Sequence, residues 1–253
     1  MREPILQTQS LTKSFGALVA LSDINLSVTR GEIHTIVGPN GAGKTTFFNL
    51  VTGKLKPSAG RILFRGEDIT GLSVHRISRL GLARSFQITN VMLKLTVFEN
   101  IRLAVQSRSN VNFHFFASPQ KLIDINSKAL EIIEKVNLLD DYDKTAESLS
   151  HGALRQLEIG MALACDPHLM LLDEPTAGMG VAETQETMQL IREIAQNMTI
   201  LLIEHDMDVV FSISDTISVF HYGHLLVTDT PQKIRENEEV QNAYLGRKMG
   251  VTS

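Results

Sequence analysis

Cysteine is nearly missing from this chain: Cys165 stands alone in 253 residues. That excludes an internal disulfide and fits a reducing compartment, with Cys165 read as a small buried hydrophobe. No stretch approaches the run of about 18 apolar residues needed to span a bilayer. Basic residues are not in excess either. Lys and Arg number 24 against 28 Asp and Glu, a formal net charge of −4, which leaves no electrostatic footprint for nucleic acid. The opening Met1–Gln7 has no basic region followed by an apolar core, so no signal peptide is expected. Internal repeats and low-complexity linkers are absent from the sequence. These absences predict a chain that is soluble by itself and reaches a membrane only through a partner. What remains is ordinary for a globular protein, 43% hydrophobic and 21% charged, and long enough for one large domain or a core with a subdomain.

Against that plain background one run stands out, Gly38-Pro39-Asn40-Gly41-Ala42-Gly43-Lys44-Thr45. It fits G-x-x-x-x-G-K-[ST], the phosphate-binding P-loop, whose backbone N–H groups cradle phosphates. Glycines permit the tight turn and the close approach of backbone to ligand. Lys44 is placed to reach the β- and γ-phosphates and the Thr45 hydroxyl to ligate Mg²⁺. Glu32–Val37 reads as a strand entering the loop, and Thr45–Val51, including Thr46, as a helix leaving it, with Gly53 and Pro57 as its stop signals.

Strands are also expected over Ile5–Phe15, Ile24–Val28 and Arg61–Phe64, as a partly antiparallel layer beside that loop. From Val91 to about Ala164 the pattern turns helical, with Leu122, Ile125, Ala129, Ile132, Ile133 and Val136 spaced by three and four. Leu169–Leu172 and Ile200–Ile203 are short continuous apolar runs, as in parallel strands covered on both faces. A helix is expected between them, and Thr216–Tyr222 with His224–Thr230 reads as a hairpin turning at Gly223. Thr230-Pro231 begins a last helix. The helical middle is therefore read as an insertion in an α/β core. The apolar run ending in Asp173-Glu174 has the Walker B form: Asp173 helps hold Mg²⁺ and Glu174 orients or deprotonates the attacking water.

With these two motifs in place, the chain resembles the ATP-binding cassette (ABC) family nearly end to end. The resemblance implies an α/β fold with a P-loop NTPase (RecA-like) core, an antiparallel β subdomain and an inserted helical subdomain. Residues 1–253 then form one ATPase domain, with 1–90 and 165–253 as the nucleotide-binding core and 91–164 as the helical subdomain. Gln87 lies where the family's Q-loop glutamine contacts metal and water. His205 looks like the switch histidine on the γ-phosphate, and Phe15 like the aromatic stacked on adenine. Leu149-Ser150-His151-Gly152-Ala153 is similar to the signature segment Leu-Ser-Gly-Gly-Gln, from which His151 and Ala153 depart. Ser150 and Gly152 keep the hydroxyl and the helix-start N–H groups that meet the γ-phosphate across a head-to-tail dimer. Ala177-Gly178-Met179-Gly180 lacks the aspartate that usually ends the D-loop.

Within the family the chain looks most like ATPase subunits of bacterial branched-chain (hydrophobic) amino-acid importers. The resemblance rests on Ala83-Arg84-Ser85-Phe86-Gln87, Leu157-Glu158-Ile159-Gly160, Leu172–Met179, Ile203–Met207 and the ending Ala243–Gly246. The ATPases of urea importers and lipopolysaccharide exporters are similar alternatives, and a soluble, non-transport cassette protein is a further one. The importer resemblance implies ATP and Mg²⁺ as ligands and an ATPase at the cytoplasmic face of the membrane. Its partners would be separate transmembrane permease subunits, a second ABC ATPase subunit in a homo- or heterodimer and, indirectly, a substrate-binding protein. Val91, Met92, Leu93, Leu95 and Phe98 fall where such transporters dock a coupling helix of the membrane subunit. Phe113, Phe115 and Phe116 form an aromatic cluster without an assigned role.

Overall fold

The computed structural model describes residues 3–85, 91–108 and 119–242. Gln87, the Phe113–Phe116 cluster and the Ala243–Gly246 ending lie outside the described residues. The chain opens with β1 (Pro4–Phe15), β2 (Leu18–Ile24), β3 (Ser27–Thr29), β4 (Ile33–Val37) and α1 (Lys44–Val51). Then come β5 (Ala59–Phe64), β6 (Glu67–Asp68), α2 (Val74–Arg79) and β7 (Leu82–Arg84). The helices α3 (Val97–Arg108), α4 (Pro119–Lys135) and α5 (His151–Leu163) follow. The last third alternates: β8 (Leu169–Asp173), α6 (Val181–Ala195), β9 (Thr199–Ile203), α7 (Met207–Ile213), the hairpin β10 (Thr216–His221) and β11 (His224–Asp229), then α8 (Pro231–Glu236).

Two sheets result. β1 is the hub of an antiparallel sheet, paired with β2, β3 and β5, with β6 beyond β5. The other has the order β11-β10-β4-β9-β8-β7, parallel except for β11. Its centre shows why continuous apolar runs make parallel strands. Met170, Leu172, Ile200 and Leu202 point into a core shared with the α3–α6 helices, while Leu169, Leu171, Leu201 and Ile203 face the core around α1 and the antiparallel sheet. Each such side chain contributes about 1.5–3 kcal/mol of transfer free energy on full burial. In the register, Ile203 stands beside both Ile36 and Asp173, so β4, β9 and β8 end together. Residues just past those ends meet at one edge of the sheet, where ligands bind in such folds.

The hairpin turns where the sequence places it, with Tyr222 (φ 44°) and Gly223 (φ 79°) both left-handed, as a two-residue turn matching strand twist requires. On α4, Ile125, Ala129, Ile132 and Ile133 are buried, as is Val136 just past its end, but Leu122 is exposed. The strand expected over Ile24–Val28 is divided instead between β2 and β3. Asp23 is left-handed (φ 53°), and the Thr8 hydroxyl takes over the pairing, donating to the Ile24 carbonyl (2.9 Å) and accepting from Leu26 N–H (3.0 Å). The short elements α2 and β7 are additions to the expected set.

A polar network is buried between β4 and β10. His34, wholly buried, bonds Glu32 Oε1 at 2.9 Å and Ser218 Oγ at 2.8 Å. Burial works against the Glu32 carboxylate, but bonds from His34, the Thr29 N–H and Thr216 outweigh it and hold its pKa below the ordinary 4.5. A carboxylate whose folded pKa is depressed stabilises fully above its unfolded pKa and loses that stabilisation as pH falls from there through the folded pKa. Glu32→Gln is therefore expected to cost about 1–3 kcal/mol at neutral pH. Thermal melts of both proteins should show a gap that shrinks below pH 4.5; a gap that is constant with pH would exclude the carboxylate's charge as its source.

Candidate functional site

Strand β4, buried throughout, delivers the glycine-rich loop. A Cβ on Gly38 would lie 2.2 Å from the Phe220 carbonyl oxygen, and one on Gly43 would lie 2.5 Å from Leu21 Cδ2. Gly41 is different: it is left-handed (φ 81°) with open space around it. The loop is thus pinned at both ends by β10 and β2, and its middle is clear. Helix α1 begins at Lys44, one residue earlier than expected, and ends through Thr52 with left-handed Gly53 behind it.

The Lys44 side chain is buried, and its Nζ donates to the carbonyls of Gly38 (2.6 Å) and Pro39 (3.1 Å). Burial pushes its pKa below the usual lysine value, while the nearby charges of Glu174 and Asp173 pull it back up. An ammonium held by backbone carbonyls at a helix N-terminus, with the Thr45 hydroxyl exposed beside it, is a donor set that fits a phosphate. Asp173 at the end of β8 accepts from Arg84 through Oδ2 at 2.5 Å. The described residues hold no group of three or more His, Cys, Asp or Glu that could bind a metal by themselves. A hydroxyl, one carboxylate and oxygens of the phosphate itself are a donor set that Mg²⁺ commonly takes, so Thr45 and Asp173 would suit it.

Beyond Asp173 the chain bends sharply. Glu174 is left-handed (φ 48°), its N–H donates to the Ile203 carbonyl (2.9 Å), and Ala177 N–H closes the turn onto the Glu174 carbonyl (3.1 Å). A non-glycine residue in this conformation costs about 1–2 kcal/mol, strain that gathers at functional sites. The turn aims the Glu174 carboxylate at His205, with Oε1 3.9 Å from Nδ1, and both side chains are open to solvent at 41% and 58% exposure. Glu204, between β9 and His205, is wholly buried; sequence reasoning did not single it out.

The remaining predicted residues sit further out. Phe15 is half exposed at the tip of the β1–β2 hairpin, with Lys13 Nζ 4.9 Å from its ring centroid, and β2 of that hairpin abuts Gly43. Ser150 caps α5, its Oγ accepting from Ala153 N–H at 3.2 Å. Gly152 packs on α6, where a Cβ would meet Glu183 Oε1 at 3.2 Å. A Cβ on Gly178 would lie 3.8 Å from His151 Cε1, so the departing histidine sits by the turn that lacks the aspartate. The signature residues are thus held by α6 and the D-loop turn, while Lys44 feels the charges of Asp173 and Glu174, and Glu174 in turn faces His205.

Among the residues read as a coupling-helix groove, Met92 and Leu93 are exposed and Val91, Leu95 and Phe98 are half-buried, while their neighbour Val97 is core. Buried Asn100 fixes that segment by accepting from Met92 N–H (2.9 Å) and donating to the Met92 and Thr96 carbonyls (3.1 and 2.9 Å). The sequence carries no signal for it beyond an asparagine inside an amphipathic helix.

This geometry has known counterparts. The ABC transporter family pattern matches residues 21–177. The chain belongs to the ABC transporter family. It is 40% identical to the high-affinity branched-chain amino acid transport ATP-binding protein BraF of Pseudomonas aeruginosa, over 97% of this chain and 99% of that one. Identity to LivG of Escherichia coli, of the same description, is 39% with the same coverage. The lipopolysaccharide export ATP-binding protein LptB of Haemophilus influenzae is more distant, at 31% over 96% of this chain and 98% of that one. Among solved structures, an ATP-binding cassette of an ABC transporter in its ADP conformation superposes with a TM-score of 0.84, at 30% identity over 96% of this chain and 99% of that one. The fold is the α/β cassette of an ABC ATPase, as expected. No helix of the described residues is long and apolar enough to cross a membrane.

Proposed function

We propose that this ABC ATPase powers the uptake of branched-chain or other hydrophobic amino acids through separate permease subunits, working at the cytoplasmic face of the membrane. The observation that carries the cargo is the 40% identity to BraF across almost the whole of both chains. In this reading residues 91–164 are the helical subdomain and present Met92 and Leu93 to the permease.

Phosphoryl transfer to water needs charge neutralisation and an aligned nucleophile more than covalent chemistry. Lys44 and the N–H groups from Gly41 to Thr45 take the phosphate charge, and Phe15 offers its open face to the adenine. Thr45 and Asp173 would hold the Mg²⁺, which would neutralise the phosphate oxygens further, and Gln87 keeps the metal and water contact that the family resemblance implies. Glu174 orients the attacking water and accepts its proton, while His205 holds the γ-phosphate. Ser150 caps the start of α5, which suits its use, with Gly152, on nucleotide held by a second ATPase subunit. The α5 N-terminus then completes the partner's site.

Glu174→Gln tests this reading with two readouts. Uptake of labelled leucine by cells carrying the variant in place of the native chain should be lost while urea uptake stands. Lost urea uptake with leucine uptake intact would move the cargo to the urea reading. The purified variant should shift to twice its size on gel filtration in Mg-ATP, because binding is kept and turnover is not. A monomer throughout would mean that His151, Ala153 and the D-loop without its aspartate require a different subunit as partner.

A further inference from the structure

Glu204 is a wholly buried carboxylate that neither nucleotide binding nor catalysis has yet used. Its Oε1 accepts from Thr176 N–H at 3.2 Å and, over a very short contact, from the Thr176 hydroxyl. Its Oε2 accepts from His205 N–H at 3.0 Å and lies 3.7 Å from His205 Nδ1. One carboxyl group therefore grips two backbone segments: the turn that carries Glu174, two residues before Thr176, and the residue that carries the histidine. Burying such a group is costly, so its three donors have to be firmly placed. A backbone N–H is present at each oxygen. An amide in its place would set its NH₂ against one of those N–H groups whichever way it turned.

We propose that Glu204 is a positioning residue for ATP hydrolysis, setting the spacing between Glu174 and His205 by clamping Thr176 and His205 on one buried carboxyl group. The inference rests on the reading of Glu174 and His205 as the water-orienting and γ-phosphate groups. Both side chains are broadly open to solvent. The clamp fixes the backbone from which each of them springs, and a displacement of about 1 Å at such a site costs about a hundredfold in rate.

The test is Glu204→Gln in the full chain, followed by steady-state ATPase assays and by equilibrium binding of a fluorescent ATP analogue. The expected result is a fall in kcat of about ten- to a hundredfold with nucleotide Kd within about twofold, because the P-loop is untouched. In a His205→Ala background the same change should lower the residual rate by no more than about twofold, since groups acting as a unit are not additive. An unchanged kcat, or an equal fall in both backgrounds, overturns the proposal. If Glu204→Gln does not fold, Thr176→Val decides: it removes one donor from the same carboxyl group and should lower kcat at constant Kd, and a wild-type kcat overturns the clamp. Failure of the underlying reading shows separately, as wild-type turnover in His205→Ala alone.

Discussion

Lys44→Ala is expected to lower ATP turnover by about a hundred- to a thousandfold, the cost of removing one preorganised charge from a developing transition state. The geometry makes the effect one of charge. Nζ is held by the Gly38 and Pro39 carbonyls at 2.6 and 3.1 Å, so its place in the loop is set before nucleotide arrives. Because Lys44 feels both Glu174 and Asp173, the ammonium also offsets two acids that would otherwise repel an incoming phosphate. Lys44→Met keeps most of the buried stem and should lose as much turnover as alanine, with a smaller loss of stability. Binding should weaken by only about tenfold, since the backbone N–H groups and α1 remain. A phosphate-release assay checks the rate, and melts of both variants separate charge from packing. Turnover within about twofold of wild type in either folded variant would defeat the P-loop assignment.

How much of this site the sequence discloses depends on whether its chemistry is local. The P-loop is legible because eight consecutive residues specify a backbone shape, and Asp173 and Glu174 because an apolar strand announces its own end. Parallel strands β8 and β9 are legible from unbroken apolar runs, which burial on two faces demands. Glu204 is not legible: in sequence it is one more acid beside His205, and its burial depends on Thr176, 28 residues away. Asn100 is hidden likewise, its four bonds all made to backbone of a segment with no pattern of its own. The misplaced strand at Ile24–Val28 has the opposite cause. Its side chains favour a strand, but left-handed Asp23 and the Thr8 hydroxyl break the ladder, and neither effect is encoded in periodicity.

Arg84 is a residue whose loss should cost a large share of the stability. It is buried on β7, with Nη1 donating to Asn49 Oδ1 at 2.7 Å and Nη2 to Asp173 Oδ2 at 2.5 Å. Its guanidinium also lies 5.3 Å from the Phe48 ring centroid. Three elements are thereby tied at one point: the helix leaving the P-loop, the strand β7 and the end of β8. Breaking a buried pair by deleting one partner typically costs about 3–5 kcal/mol, and the partial exposure of Asp173 (18%) brings Arg84→Met to about 2–4. Arg84→Lys should fall between, because a point charge on a single stem cannot serve Asn49 and Asp173 with a planar fork. Urea unfolding gives the measurement, as a lower midpoint at unchanged slope. A loss below about 0.5 kcal/mol for the methionine variant would mean that desolvating the arginine already cancels what its bonds contribute. The expected result has a consequence for the reaction, since Asp173 would then lose the partner that fixes the carboxylate beside the phosphate loop. A folded Arg84→Met protein should therefore need more Mg²⁺ for half-maximal turnover, while binding of metal-free ATP stays the same.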